Sequence, residues 1–142
     1  MKTLSQLSIV IACAMFSMGG CATVSEYATP ANARTATALV CSNAIQFGVT
    51  TADQAETANY VYAVAHAVRS LSGGKVPTQA EMKAAIDSFT PDGGKYVTLA
   101  TNISSIYGAF YPRIAGNSKV ALTYLEAIAA GCEDAATSFL PK

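Results

Sequence analysis

The stretch 96–113, YVTLATNISSIYGAFYPR, decides the fold of this chain. Its apolar side chains recur at alternating intervals of three and four residues, which is the repeat of one face of an α-helix. The residues on this face are Tyr96, Leu99, Ile103, Ile106 and Phe110. A seam with this spacing packs between other helices. Pro112 is expected to kink or end the helix, because its ring conflicts with the carbonyl of Gly108.

Helical patterns also lie on both sides of this stretch. Thr29-Pro30 and the capping boxes at 51–54 and 78–81 predict three helix starts. Glycine- and proline-containing breaks at 72–74, 90–94 and 116–118 separate the segments, and no alternating strand pattern occurs. The flanking apolar stripes are Ala36, Val40, Ala44 and Phe47; Val61, Val64, Ala65, Val68 and Leu71; Met82, Ala85, Ile86 and Phe89; and Ala121, Leu125, Ile128, Cys132, Ala135 and Phe139. The sequence therefore predicts an all-α fold, a small bundle of about five helices.

The first residues have the three parts of a secretory signal peptide. Lys2 supplies a positive start, residues 4–16 are largely apolar, and Gly19-Gly20 are small residues before Cys21. The segment is too short to be a stable membrane-spanning helix. Over residues 1–22 it resembles the lipobox signal peptides of bacterial lipoproteins, although leucine is commoner than Met18 at that position. The resemblance implies removal of residues 1–20 and lipidation of Cys21, and ordinary signal-peptide cleavage is the alternative.

This processing would leave a lipidated cysteine and short tether at 21–28 and a single helical domain at 29–142. Fully extended, the tether reaches about 25 Å, so the domain would sit close to the bilayer. In the lipoproteins that this segment resembles, an aspartate directly after the lipidated cysteine is associated with retention at the inner membrane. This chain has Ala22 at that position. The predicted location is therefore the periplasmic face of the outer membrane, with the acyl chains at Cys21 as the anchor.

The cysteines predict one disulfide. Cys13 would be removed and Cys21 lipidated, which leaves Cys41 and Cys132 in a compartment that oxidises thiols. A bond between them would enclose about 90 residues and stabilise the fold by about 4–5 kcal/mol on the chain-entropy model. It would join the N-terminal helix to the C-terminal one. The alternative is a pair of unbonded, buried thiols.

The charge composition bears on the class of partner. Nine basic and nine acidic residues balance, and no basic face suitable for nucleic acid occurs. Charged residues make up only 13% of the chain, about half the usual share. Such a weakly charged surface suits a protein held at a membrane or one that buries surface on a partner. A helical domain with few charges is the simpler explanation.

The sequence offers little for catalysis, metal binding or a cofactor. His66 is the only histidine, and no acidic residue lies three or four positions from it. Any catalytic partner of His66 would have to come from another helix. The chain has no zinc-ligand spacing and no phosphate-binding glycine loop. We therefore expect no enzyme activity, no catalytic residue, no metal and no cofactor.

Tyrosine is the residue type most suited to an interface. The chain has seven tyrosines and no tryptophan. Tyr107, Phe110, Tyr111 and Arg113 surround the expected kink, and they form the predicted binding patch, because tyrosine combines a large apolar body with one polar group. The alternative is that most tyrosines close the edge of the core with their hydroxyls in water.

Two functions fit these features. The first is a membrane-anchored, non-enzymatic envelope lipoprotein that binds another envelope protein as a scaffold or exclusion module. The alternative is a periplasmic carrier of an apolar small molecule or lipid between the helices. The carrier would use the space near Pro112 left by the small residues Gly108, Ala109, Ala115 and Gly116.

Overall fold

The structure is a computed structural model that describes residues 28–47, 54–73, 75–90 and 96–140. These residues form five α-helices and contain no strand, which confirms the predicted all-α fold. The helices are α1 (Pro30–Phe47), α2 (Gln54–Ser70), α3 (Gln79–Asp87), α4 (Val97–Ile114) and α5 (Ser118–Thr137). The predicted signal peptide, Cys21, most of the tether and the capping box at 51–54 lie outside the described residues.

Local side-chain hydrogen bonds set three of the helix starts. Before α1, the Thr29 hydroxyl accepts a hydrogen bond from the backbone N–H of Asn32 at 3.2 Å. The predicted capping box before α3 is confirmed, with Thr78 and Glu81 each accepting a bond from the other's backbone N–H, at 3.1 and 2.7 Å. Before α5, the Asn117 side chain accepts a hydrogen bond from the backbone N–H of Val120. Each cap satisfies a backbone donor that the helix itself leaves free.

The predicted seam of α4 forms its buried face, since all five of its residues are at most 9% exposed. Pro112 does not end α4 at once, because the helix continues to Ile114. It ends within one turn, and Gly116 then adopts a φ of 88°, which a residue with a side chain rarely adopts. This turn brings α5 back antiparallel to α4, where Phe110 packs against Tyr124 with ring centroids 5.2 Å apart.

The contacts of α5 fix the directions of α1 and α2. Tyr124 and Cys132 of α5 meet Ala28 and Cys41 in the same order along both segments, so α1 runs parallel to α5. By contrast, α2 runs antiparallel to α5: its residue Arg69 bonds to Glu126 and Glu133, and residue 72 lies beside residue 122 near the start of α5. The helix α5 therefore packs against α1, α2 and α4, and the core surrounds it.

This arrangement gives the bundle two ends. The entry end contains the starts of α1 and α5 and the ends of α2 and α4, and the described chain enters there at Ala28. The distal end contains the ends of α1 and α5 and the starts of α2 and α4. At the distal end, the rings of Tyr60 and Tyr96 stack with centroids 4.1 Å apart. The Tyr60 hydroxyl also hydrogen-bonds the hydroxyl of Thr90, which lies three residues after the end of α3.

Cys41 and Cys132 lie at the contact between α1 and α5, as predicted, and both are fully buried. Their Sγ atoms are 3.6 Å apart, whereas a disulfide bond measures about 2.05 Å. Both are free thiols, so the predicted disulfide is not formed in this structure. The hydrogen bond with Cys132 and burial raise the pKa of Cys41 well above its usual value. The thiol is therefore protonated and unreactive at neutral pH.

Candidate functional site

The structure does not bring the four residues of the predicted binding patch to one exposed surface. Tyr107 is fully buried and Phe110 is 3% exposed, so both belong to the core. Tyr111 is half-buried and Arg113 is exposed. The reason is helical geometry, since Tyr107 and Phe110 are three residues apart and share the buried face of α4. The patch predicted from the sequence is therefore not present as a unit.

The buried tyrosines instead join the core to the segments around it. Tyr60, Tyr96, Tyr107 and Tyr124 are all at most 6% exposed. The Tyr107 hydroxyl donates to the carbonyl of Pro77, and the Tyr124 hydroxyl donates to the carbonyl of Ala28. Burial raises the pKa of Tyr107 to about 12. Protein groups accept or donate the hydrogen bonds of these hydroxyls. The alternative expectation, that most tyrosines keep their hydroxyls in water, is therefore wrong for these four.

At Gly108, the space proposed for an apolar ligand is filled by protein. The Gln79 side chain lies over Gly108, so closely that a Cβ on Gly108 would be 2.3 Å from its Oε1. Beside it, a depression of about 460 Å³ opens to solvent between α3 and α4. It is lined by Thr78, Gln79, Ala80, Lys83, Ser104 and Tyr111. This is a groove open to solvent, unlike the enclosed site that a carrier needs.

The polar residues around His66 form a structural ion cluster. His66 is exposed and contacts the Tyr62 ring edge-on, with centroids 5.0 Å apart. Arg69, one turn further along α2, binds the carboxylates of both Glu126 and Glu133 of α5. The hydrogen bond from Arg69 lowers the pKa of Glu133. The cluster thus joins α2 to α5, and in the described part of the chain no group of three or more His, Cys, Asp or Glu is placed to hold a metal ion.

Exposed apolar side chains at the distal end are the strongest functional feature. Phe47, Phe89 and Val97 are 79%, 56% and 47% exposed. Phe47 is the last residue of α1, Phe89 follows the end of α3, and Val97 is the first residue of α4. We refer to these three as the distal apolar residues. They lie at the same end of the bundle, where an interface with a partner would bury them.

Sequence reasoning missed this feature because it assigned Phe47 and Phe89 to buried helical stripes. Phe89 fits the buried stripe of Met82 and Ile86 but lies beyond the end of α3. The stripe predicted for α1 was wrong, because Ala36, Val40 and Ala44 are only partly buried and Phe47 is exposed; the buried face of α1 consists of Ala33, Thr37, Cys41 and Ile45. One signal was present: Gly48 directly follows Phe47, and Thr90-Pro91 follow Phe89. An apolar residue directly before a helix break is less reliably buried than one in the middle of a helix.

The comparisons with known proteins give no further constraint on the site. None of the described helices has the combination of length and apolar character needed to cross a membrane. No protein-family model matches the chain, and comparisons with curated proteins and with solved structures found no match either.

Proposed function

We propose that this protein is a bacterial envelope lipoprotein that is anchored through Cys21 and binds another envelope protein with its distal end. In this role it acts as a scaffold or exclusion module without catalysis or cofactor. The observation that carries the proposed binding is the exposure of Phe47, Phe89 and Val97 at one end of the bundle.

The position of these residues relative to the proposed anchor favours a protein partner. The described chain enters at Ala28, seven residues after Cys21, and a segment of that length spans at most about 25 Å. The 18 residues of α1 then rise about 27 Å towards the distal end. With the anchor on the periplasmic face of the outer membrane, the distal apolar residues would face the periplasm and the proteins there.

Burial energetics support binding at this end. Complete burial of a side chain such as Val or Phe stabilises a complex by about 1.5–3 kcal/mol, and a few apolar anchors dominate most interfaces. In the free protein, Phe47, Phe89 and Val97 expose apolar surface to water that a partner would bury.

Site-specific photo-cross-linking in cells tests the proposal. A photoreactive amino acid would replace Phe89 at the distal end and, as the matched control, Leu39 on the side of α1, which is 59% exposed. We expect one recurrent protein adduct from position 89, none from position 39, and loss of the adduct in Cys21→Ser. The same adducts from both positions, or no adduct from position 89, would contradict binding at the distal end.

A further inference from the structure

We propose that the entry end of the bundle docks on an anionic phospholipid surface through Arg113 and Lys119, which orients the distal end away from the membrane. This inference rests on the proposed anchoring through Cys21. It adds a second contact with the membrane, made by the folded domain itself.

The charges of the entry end carry the inference. Arg113 lies in the last turn of α4, Lys119 in the first turn of α5, and both are exposed. Neither forms an ion pair with any residue in the described ranges. In those same ranges two acidic side chains lie near this end, and both are paired: Glu81 with Lys75 at 2.6 Å and within the capping box, and Glu126 with Arg69 at 2.9 Å. The entry end is therefore positive.

The chain enters beside this positive surface. The Tyr124 hydroxyl of α5 holds the carbonyl of Ala28, the first described residue. Arg113 lies three residues after Phe110, whose ring packs against Tyr124 with centroids 5.2 Å apart. Arg113 and the point of entry are thus neighbours. A tether of at most about 25 Å keeps this end near the lipid headgroups.

The physical effect is orientation rather than attachment. A basic residue close to an anionic leaflet favours contact by roughly fivefold, and the attraction decays within about 8 Å at physiological salt. Two such residues are too few to hold a free protein on a membrane, but the tether keeps an anchored domain within about 25 Å of the headgroups, so this end enters that range repeatedly. Leu122, 42% exposed and three residues after Lys119, adds an apolar side chain to the same surface.

The lack of tryptophan in the chain provides a clean test. Leu122→Trp at the entry end and Phe89→Trp at the distal end each introduce a single fluorophore at an exposed position. The lipidated protein would be reconstituted in phosphatidylcholine vesicles containing a lipid with a nitroxide on its headgroup, with or without phosphatidylglycerol. Quenching at the two positions reports which end lies at the headgroups.

We expect stronger quenching at position 122 than at position 89, and a difference that grows at least twofold with phosphatidylglycerol. The double variant Arg113→Gln/Lys119→Gln and 1 M salt should each remove that gain, whereas the control Lys83→Gln on α3 should keep it. Equal quenching at both positions, or no effect of phosphatidylglycerol, would overturn the docking while leaving the anchor intact. Failure of the protein to float with the vesicles would overturn the anchored function itself and this inference with it.

Discussion

Gly131 of α5 lies directly against Thr37 of α1, and no side chain fits between the two helices at this point. A Cβ on Gly131 would be 2.9 Å from the Cβ of Thr37 and 2.4 Å from the backbone carbonyl oxygen of Arg34. Around it the facing positions are also small: Ala33, Cys41 and Cys132 are fully buried. The close approach of α1 and α5 at this point therefore requires glycine at position 131, because the backbone of α1 leaves no room for a Cβ.

The first prediction is that Gly131→Ala destabilises the fold by about 1–2 kcal/mol. Alanine gains up to about 1 kcal/mol in helix propensity, but overpacking against backbone costs more. The matched control is Gly108→Ala, whose Cβ would meet only the flexible end of the Gln79 side chain. We expect Gly108→Ala to change the free energy of unfolding by less than about 1 kcal/mol. Urea denaturation measures both, and equal effects would contradict the close contact.

The second prediction concerns the ion cluster of Arg69. Arg69→Met should lower the free energy of unfolding by about 1–2 kcal/mol at pH 7, because two carboxylates lose a partly buried partner. The folded pKa of Glu133 is below its unfolded value, so its stabilising contribution is present above about pH 4.5 and is lost as pH falls through the folded pKa. The difference between wild type and Arg69→Met should therefore shrink at acidic pH.

A matched control for this prediction is Arg34→Met, which breaks the more exposed pair with Asp134. Exposed pairs contribute about 0–1 kcal/mol, so this variant should change stability less than Arg69→Met. Urea denaturation from pH 3 to pH 7 checks both variants. A cost of Arg69→Met that does not change with pH would contradict the role given to Glu133.

The third prediction follows from Tyr107. Its folded pKa is about 12, above the ordinary value of 10, so its stabilising contribution is complete below pH 10 and is lost as pH rises towards 12. Tyr107→Phe should cost about 1 kcal/mol at pH 7, because the carbonyl of Pro77 loses its hydrogen bond. Between pH 10 and 12, the stability of Tyr107→Phe should fall less steeply than that of the wild type. Thermal unfolding followed by circular dichroism measures this, and an unchanged slope would argue against it.

The fourth prediction is that Cys41 and Cys132 are protected thiols. In the protein processed and lipidated as proposed, a thiol-alkylating reagent should label neither residue while the protein is folded, because both side chains are fully buried. In urea without reductant both should be labelled, as counted by mass spectrometry. Rapid labelling of the folded protein would contradict their burial. Labelling in urea only after reduction would show a disulfide that this structure does not contain.

The tertiary contacts decided which apolar and aromatic residues are buried. Tyr107 and Tyr111 look equivalent in the sequence, yet one is fully buried under Pro77 and the other is half-exposed. Phe89 continues the buried stripe of α3 but lies beyond the end of that helix, whereas Phe47 lies off the buried face of α1. The distance between Cys41 and Cys132 also depends on how closely α1 approaches α5, and no spacing along the chain encodes it.

Local sequence patterns correctly predicted the helical class, the seam of α4 and the caps at Thr29 and Thr78. Each of these depends on interactions between residues three or four positions apart, which the order of residues specifies directly. Packing between helices then determines that Tyr107 and Phe110 belong to the core and that Phe47, Phe89 and Val97 are exposed at the same end. Those outcomes depend on where one helix ends relative to its neighbours, and this relation joins residues far apart in the chain.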